Sequence, residues 1–464
     1  MDIAPEKTKS YIKSALQDAR LKDAVDKATQ TALQKRQEKV NQIPYWSDLR
    51  WQTYRIKKEV IEHLDRYLEQ FEANAIDNGI QVHWAADADE ARRIIFYLAK
   101  IRQVKTIVKS KSLTTEEIHL NHFLGEHHLE VLETDLGEYI VQLLDQIPSH
   151  LTSPALHLTR KDVGKIFHEK LGVPYTEEPE ELLQIARRVL REKFLNADMG
   201  ISGANFAIAE SGAFCVLENE ANAHLTITMP RIHVAVMGIE KIVPDLPRLA
   251  PFLKMLPTSA TGLKITSYVN FIGGPTRKKF GEGPEEVHII LLDNGRSKIL
   301  ADPQLRESLF CFRCGACLNV CPIYQQVGGH AYGWVYMGPI GITLLPQYLG
   351  EKTGRYAPFT SSLCEACFEI CPMRINIPHH LLKLRNRVVT AGYSMTLEKM
   401  GIRGWAFLAK HPRLYRLATW FPGKFQRLMP GNRAFPVPGY NQERALGRFD
   451  ARGFRNRFKE MEKP

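Results

Sequence analysis

The sequence predicts an α/β fold, followed by a mainly helical domain built around cysteines and a basic C-terminal region. Three observations predict it. Short strand-like and helix-like segments alternate between residues 79 and 147, the pattern of a largely parallel sheet with crossover helices. A strand-rich stretch follows between 204 and 294. Seven of the eight cysteines then fall in two short segments, CFRCGACLNVCP (311–322) and CEACFEICP (364–372).

At 464 residues the chain is long enough for two or three domains with substantial cores. Its 44% hydrophobic and 24% charged residues are ordinary for a globular protein. No apolar run approaches the roughly 20 residues of a membrane-spanning helix. The N-terminal MDIAPEKTKS has early acids and no apolar core segment, so it does not read as a secretory signal. The expected location is cytoplasmic, where clustered cysteines are metal ligands sooner than disulfides.

Residues 1–70 read as a charged helical segment, with Val60, Leu64, Leu68 and Phe71 at helical spacing near its end. An α/β domain is expected over 71–295. In it, 79–85 is a strand, 88–102 an amphipathic helix, 105–110 a strand and 114–128 a helix with an acidic first turn. A strand at 129–134 and a helix at 136–147 follow. Helices are expected at 161–172 and 177–197. In 204–222 two strands meet at Ser211-Gly212, a hairpin turn. Further strands are read at 224–230, 233–239, 267–274 and 287–294. A cysteine domain is expected over 296–390, with a Gly- and aromatic-rich loop (328–341) between its two segments and a helix beyond Pro378. A basic region completes the chain over 391–464.

Cys311, Cys314, Cys317 and Cys321-Pro322 have the spacing C-x₂-C-x₂-C-x₃-C-P, in which the fourth cysteine serves the other cluster of a two-cluster ferredoxin. Three thiolates two residues apart curl around one face of an iron–sulfur cubane, and the fourth points away at a helix start. Small Gly315 and Ala316 let backbone amides approach the sulfurs. Structural zinc is the weaker reading, because zinc sites pair two C-x₂-C knuckles across a loop. The second segment is one cysteine short, and Ser361 stands where it would fall. Crossing the fourth ligands assigns Cys311, Cys314, Cys317 and Cys371 to cluster one, and Cys321, Cys364 and Cys367 to cluster two. Ser361 is a candidate fourth ligand of cluster two, with Ser362, water and a distant side chain as the others. The expected cofactors are two [4Fe-4S] clusters, the second converting to [3Fe-4S] on oxidation.

Around these cysteines, VKSKS (108–112), ETDLGEY (133–139), GISGANFAIAESGAF (200–214), HVAVMGIEKIVP (233–244) and GGHAYGWVYMGPIG (328–341) occur in the order found in the LutB family, which the chain resembles over essentially its whole length. That family supplies the iron–sulfur subunit of the bacterial lactate utilisation system. The resemblance implies a NagB/CoA-transferase-like LUD domain, a dicluster ferredoxin-like domain and a family-specific tail. It further implies electron transfer in NAD-independent oxidation of L-lactate to pyruvate, with two partner subunits and a quinone-linked acceptor. A second segment with three cysteines fits the family.

Other residues invite functional readings of lower weight. Glu210 resembles a CoA-transferase nucleophile, but a polar residue beside a turn is the commoner case. Lys109 and Lys111 are read as a solvated strand edge, Gly200 and Gly203 as turn glycines, and Cys215 as core. His330, Tyr332, Trp334 and Tyr336 either cover the clusters or simply pack. The charge is concentrated at the C-terminus. Residues 373–464 carry 19 Lys and Arg against 5 Asp and Glu, while the remaining residues carry 43 against 46. With Trp405, Phe407, Trp420 and Phe421, that region reads as a docking or peripheral membrane surface at the inner face. The first functional reading is an electron-transfer subunit that is not itself catalytic. The others are an acyl or CoA enzyme centred on Glu210, and a cluster-stabilised scaffold whose tail binds nucleic acid. Basic-aromatic sequence is weak support for the last.

Overall fold

The computed structural model describes residues 7–276, 283–393, 396–425, 457–459 and 461. Residues 1–390 form one compact unit and 391–464 a second.

The strands of the first unit, in chain order, are β1 (Gln81–Ala85), β2 (Thr106–Lys109), β3 (Glu130–Glu133), β4 (Met199–Gly203), β5 (Phe206–Ile208), β6 (Phe214–Glu218), β7 (Ile232–Gly238), β8 (Ile242–Val243), β9 (Tyr268–Ile272) and β10 (Glu286–Leu292). Six of them form a wholly parallel sheet in the order β1-β10-β7-β4-β2-β3. Its central strands read as continuous apolar runs, VAVMG and VHIILL, because both faces are covered. Val234 and Val236 of β7 join Ile290 and Leu292 of β10 under the helices Ala88–Ile101 and Leu120–Glu126. Ala235, Met237, Ile289 and Leu291 face the other core, which runs on into the cysteine domain. The second sheet, β8-β5-β6-β9, packs in that same core. The hairpin at Ser211-Gly212 is present, with Phe206 opposite Cys215.

Three expectations are corrected. Residues 224–230 were expected as a strand; the chain instead forms a helix, Asn222–Thr228. The Glu218 carboxylate accepts the N–H groups of Ala223 (2.7 Å) and His224 (2.6 Å), satisfying donors that a helix start leaves open. This contact decides the conformation over the β-branched composition of Thr226, Ile227 and Thr228. Gly200 permits the close packing, since a Cβ there would lie 1.9 Å from the Thr226 carbonyl oxygen. The helix expected over 114–128 is two, Leu113–Glu117 and Leu120–Glu126, broken where His119 takes φ +51°. Lys109 is no solvated edge. It is completely buried, and its ammonium donates to Glu133 (2.7 Å), Glu116 (3.1 Å) and Thr115 (3.0 Å). Burial disfavours that ammonium, but the facing carboxylates more than offset this and hold its pKa up. The helix Leu246–Thr261 had no counterpart in the sequence reading, because Pro251 and Pro257 interrupt its pattern.

The N-terminal segment forms helices Thr8–Ala15, Ala19–Asn41, Trp46–Glu62 and Leu64–Asp77. They lie against the cysteine domain and the second sheet. Lys57 is buried and donates to the carbonyl oxygens of Glu240 and Ile242.

In the second unit, helices Thr396–Lys410 and Pro412–Phe425 are described. Trp405 and Phe407 are exposed. Trp420 and Phe421 belong to the second helix, and their side chains lie outside the described residues. Among the described residues no helix is long and apolar enough to cross a membrane.

Candidate metal centre

The two cysteine segments share one local design. Each follows a short 3-10 turn, Arg306–Phe310 in the first and Ala357–Phe359 in the second, and each runs into a single helical turn, Ala316–Asn319 or Ala366–Ile370. Between these, the residue before the second motif position is left-handed in both, Arg313 at φ +61° and Leu363 at φ +57°. The residue after it is left-handed too, Gly315 at +78° and Glu365 at +66°. The N–H of Arg313 donates to Cys311 Sγ at 3.3 Å, and that of Leu363 donates to Ser361 Oγ at 3.2 Å. Ser361 thus occupies in the second loop the place Cys311 holds in the first.

The folded loops bring the thiols into two sets. One cavity is lined by Cys311, Cys314, Cys317 and Cys371, with Leu151 and Ile377 among its walls. Three of these thiols come from the first segment and one from the end of the second. Burial pushes the Cys371 thiol up to about 11, with Cys311 contributing. Burial and the neighbouring thiols Cys311, Cys314, Cys367 and Cys371 push Cys317 far above its ordinary value. In the other set, burial followed by Cys321 and Cys364 pushes Cys367 up to about 12. Cys364 is exposed, whereas Cys314, Cys317, Cys367 and Cys371 are buried. Soft thiols converging in an apolar cavity, none of them in a disulfide, suit a thiophilic metal group whose binding displaces their protons. Backbone amides point at the sulfurs: Ala316 at Cys314, Ile323 and Tyr324 at Cys321, and Met373 and Ile375 at Cys371.

Cations surround the first set. Arg50 donates to the Cys371 carbonyl oxygen at 3.0 and 2.8 Å, and Arg36 to that of Ile370 at 3.0 Å. Lys241 reaches the Cys311 carbonyl oxygen at 3.5 Å, and Arg313 reaches it at 3.4 Å. Behind them Arg296 pairs with Glu117 (2.9 Å) and Glu240 (2.6 Å), and Tyr336 donates to Glu117 at 2.7 Å. Burial opposes the Glu240 carboxylate, but Arg296, Lys241 and Arg313 outweigh it and hold its pKa down at about 2.

The sequence reading missed these charges. The signal was there: IEK (239–241) sets two charges between apolar runs, and Arg313 stands inside the motif. Arg36 and Arg50 gave none, being more than 300 residues from their partners. Of the aromatic loop, Tyr332 lies beside Cys321 and Cys317, while Trp334 and Tyr336 are buried around the charge network. His330 bonds the Ile147 carbonyl oxygen at 2.8 Å. Glu210 sits exposed on the hairpin turn, away from the cysteine cavity. Cys215 is buried on β6, where burial pushes its thiol up to about 12.

Residues 68–292 match the LUD domain, residues 307–375 the 4Fe-4S dicluster domain, and residues 385–463 the C-terminal domain of lactate utilisation protein B. Lactate utilization protein B of Bacillus licheniformis is 40% identical, with 95% of this chain and 92% of that one covered. The chain belongs to the lactate utilization protein B family. The protein of the same name from Bacillus cereus (strain AH820) is also 40% identical, over 93% of this chain and 92% of its own. An uncharacterized electron transport protein of Escherichia coli (strain K12) is 37% identical over 97% and 96%. The chain joins a LUD domain to a 4Fe-4S dicluster domain, and the cysteines clustered between 311 and 371 lie in the latter and support iron–sulfur clusters as its cofactors.

Proposed function

We propose that the chain is the electron-transfer subunit of a multi-subunit system that oxidises L-lactate to pyruvate without a nicotinamide cofactor. Cys311, Cys314, Cys317 and Cys371 hold one [4Fe-4S] cluster; Cys321, Cys364 and Cys367 hold the other. Ser361 faces the remaining corner of the second. Two partner subunits supply the lactate site and the onward path to a quinone-linked acceptor, and the basic tail docks the chain to them or to the membrane. When bound, the clusters accept and release single electrons.

The observation that carries this reading is the pair of thiol sets in one buried region. Cys367 and Cys371 stand four residues apart yet belong to different sets, so the two groups they hold are near neighbours. Adjacent centres of this kind relay electrons. The chain's own residues shield the first set with apolar walls, point backbone amides at sulfurs of both sets, and bring cations to nearby carbonyl oxygens. The test is anaerobic purification with the two partner subunits, followed by lactate addition and EPR. Lactate should reduce both clusters in the assembly and neither in the chain alone. Clusters that keep their redox state on lactate addition to the full assembly would remove the electron-transfer role.

A further inference from the structure

The cations around the cysteines are unevenly distributed. Arg36 and Arg50 donate only to backbone carbonyl oxygens, and among the described residues neither has a carboxylate within ion-pairing distance. The thiols whose field reaches Arg36 are Cys314 and Cys371, and the one that reaches Arg50 is Cys371. Arg313 is 8% exposed. Its nearest carboxylate oxygen, Glu240 Oε1, is 3.9 Å away, and the other oxygen of that carboxylate pairs with Arg296 at 2.6 Å. Two of its three guanidinium nitrogens, Nε and Nη2, are buried without a hydrogen-bond partner. Lys241 is also buried, beside Cys311. Arg36, Arg50, Lys241, Arg313 and Arg296 outnumber the carboxylates of Glu117 and Glu240 among them. Such an excess of positive charge in a largely apolar site makes sense when an anion sits there. The other set has fewer such cations: Arg385 donates to the Ser361 carbonyl oxygen at 2.8 Å. Besides burial, Cys321 responds to two backbone amides and Cys364, and Cys367 mainly to its neighbouring thiols.

Adding one electron to a thiolate-bound cluster adds one negative charge, with no bond broken and no proton needed. Fixed cations in a low-dielectric site stabilise that reduced charge and raise the potential. We propose that Arg36, Arg50, Lys241 and Arg313 set the two clusters apart in potential. The one held by Cys311, Cys314, Cys317 and Cys371 lies higher, and the first electron to enter the chain rests there. This rests on the reading that each thiol set holds a cluster.

The test is an EPR-monitored redox titration of the full chain, purified anaerobically, for the wild type, Arg313→Gln, Arg50→Gln and Arg50→Lys. A Cys364→Ser variant identifies the signal of the second cluster. Wild type should show two midpoints, with the Cys364→Ser change confined to the lower. Either Gln variant should cut the ratio of reduced to oxidised cluster one about tenfold at fixed ambient potential, equivalent to about 59 mV for one electron. The lower midpoint should move much less, and Arg50→Lys should restore most of the shift. Arg50 lies at the rim of the site, so its variants carry the test if Arg313→Gln fails to assemble. An unmoved higher midpoint in cluster-replete Gln variants overturns the inference. So does a higher midpoint that responds to Cys364→Ser. Fewer than two clusters in the wild type, by iron, sulfide and EPR, would instead overturn the reading beneath it.

Discussion

Replacing Ser361 by cysteine should make the second cluster resist oxygen. The loop is already shaped for a thiol. Leu363 N–H meets Ser361 Oγ at 3.2 Å, as Arg313 N–H meets Cys311 Sγ at 3.3 Å, and the flanking residues share the left-handed conformation, with φ +57° against +61° and +66° against +78°. Ser361→Cys therefore needs no backbone movement. What changes is the proton. A free thiol has a pKa of about 8.5. A hydroxyl with an affinity near that of water, about 15.7, holds its proton about seven units more tightly. Seven units correspond to about 10 kcal/mol at about 1.4 kcal/mol each. Even if iron–oxygen bonding offsets most of that, a residue of about 1.4 kcal/mol is a tenfold effect on how firmly the corner iron is held. The assay is air exposure of anaerobic protein, with growth of a [3Fe-4S] EPR signal followed in time. Wild type should convert at the second cluster, Ser361→Cys at least about tenfold more slowly, and Ser362→Cys like wild type. Equal rates in wild type and Ser361→Cys, with both clusters present, would refute the placement of Ser361 at the open corner. If the wild-type second cluster is as durable as the first, a strong ligand has been overlooked, and buried Cys215 would be tested next.

Cys311→Ala, Cys314→Ala or Cys317→Ala should remove the first cluster, halving iron content and abolishing lactate-driven reduction; Cys371→Ala should perturb that same cluster although it lies in the other segment, and a change confined to the second cluster's EPR signal would undo the crossing. Truncation after residue 390 should leave iron and sulfide unchanged but weaken binding to the partner subunits or to anionic vesicles. The charge component of that binding should fade as the Debye length falls from about 10 Å at 0.1 M salt to about 3 Å at 1 M, and equal binding by the truncated chain at both salt levels would give the tail another role. Lys109→Met strands Glu133 and Glu116 without their cation and should cost about 3–5 kcal/mol in urea unfolding, whereas a loss below about 1 kcal/mol would mean the carboxylates take up protons instead.

What the sequence revealed and what it hid follow from range. The cysteine pattern is local, so its spacing could be read as a dicluster motif without the fold. The crossover alternation from β1 to β3 was legible because each strand and helix carries its own period. The helix Asn222–Thr228 was misread because its start is capped by Glu218, a side chain outside the window that periodicity inspects. Lys109 was misread because its partners Glu116 and Glu133 lie on other elements. Of the cations at the thiols, Arg36 and Arg50 were invisible for the same reason. Arg36 and Arg50 look like solvated charges on amphipathic helices until the fold lays those helices on residues 368–371.

That last arrangement has a consequence for how the molecule is made. The first helices off the ribosome wait for loops synthesised more than 300 residues later, and the site joins the two ends of the first unit. A chain paused before Phe368 holds three of the first four thiols, and neither arginine has its acceptor. Iron is thus the final piece, accepted only once the polypeptide has closed on itself. A nascent chain arrested at residue 360 should capture no stable cluster, and one that did would show that closure on the second cysteine segment is not needed for maturation.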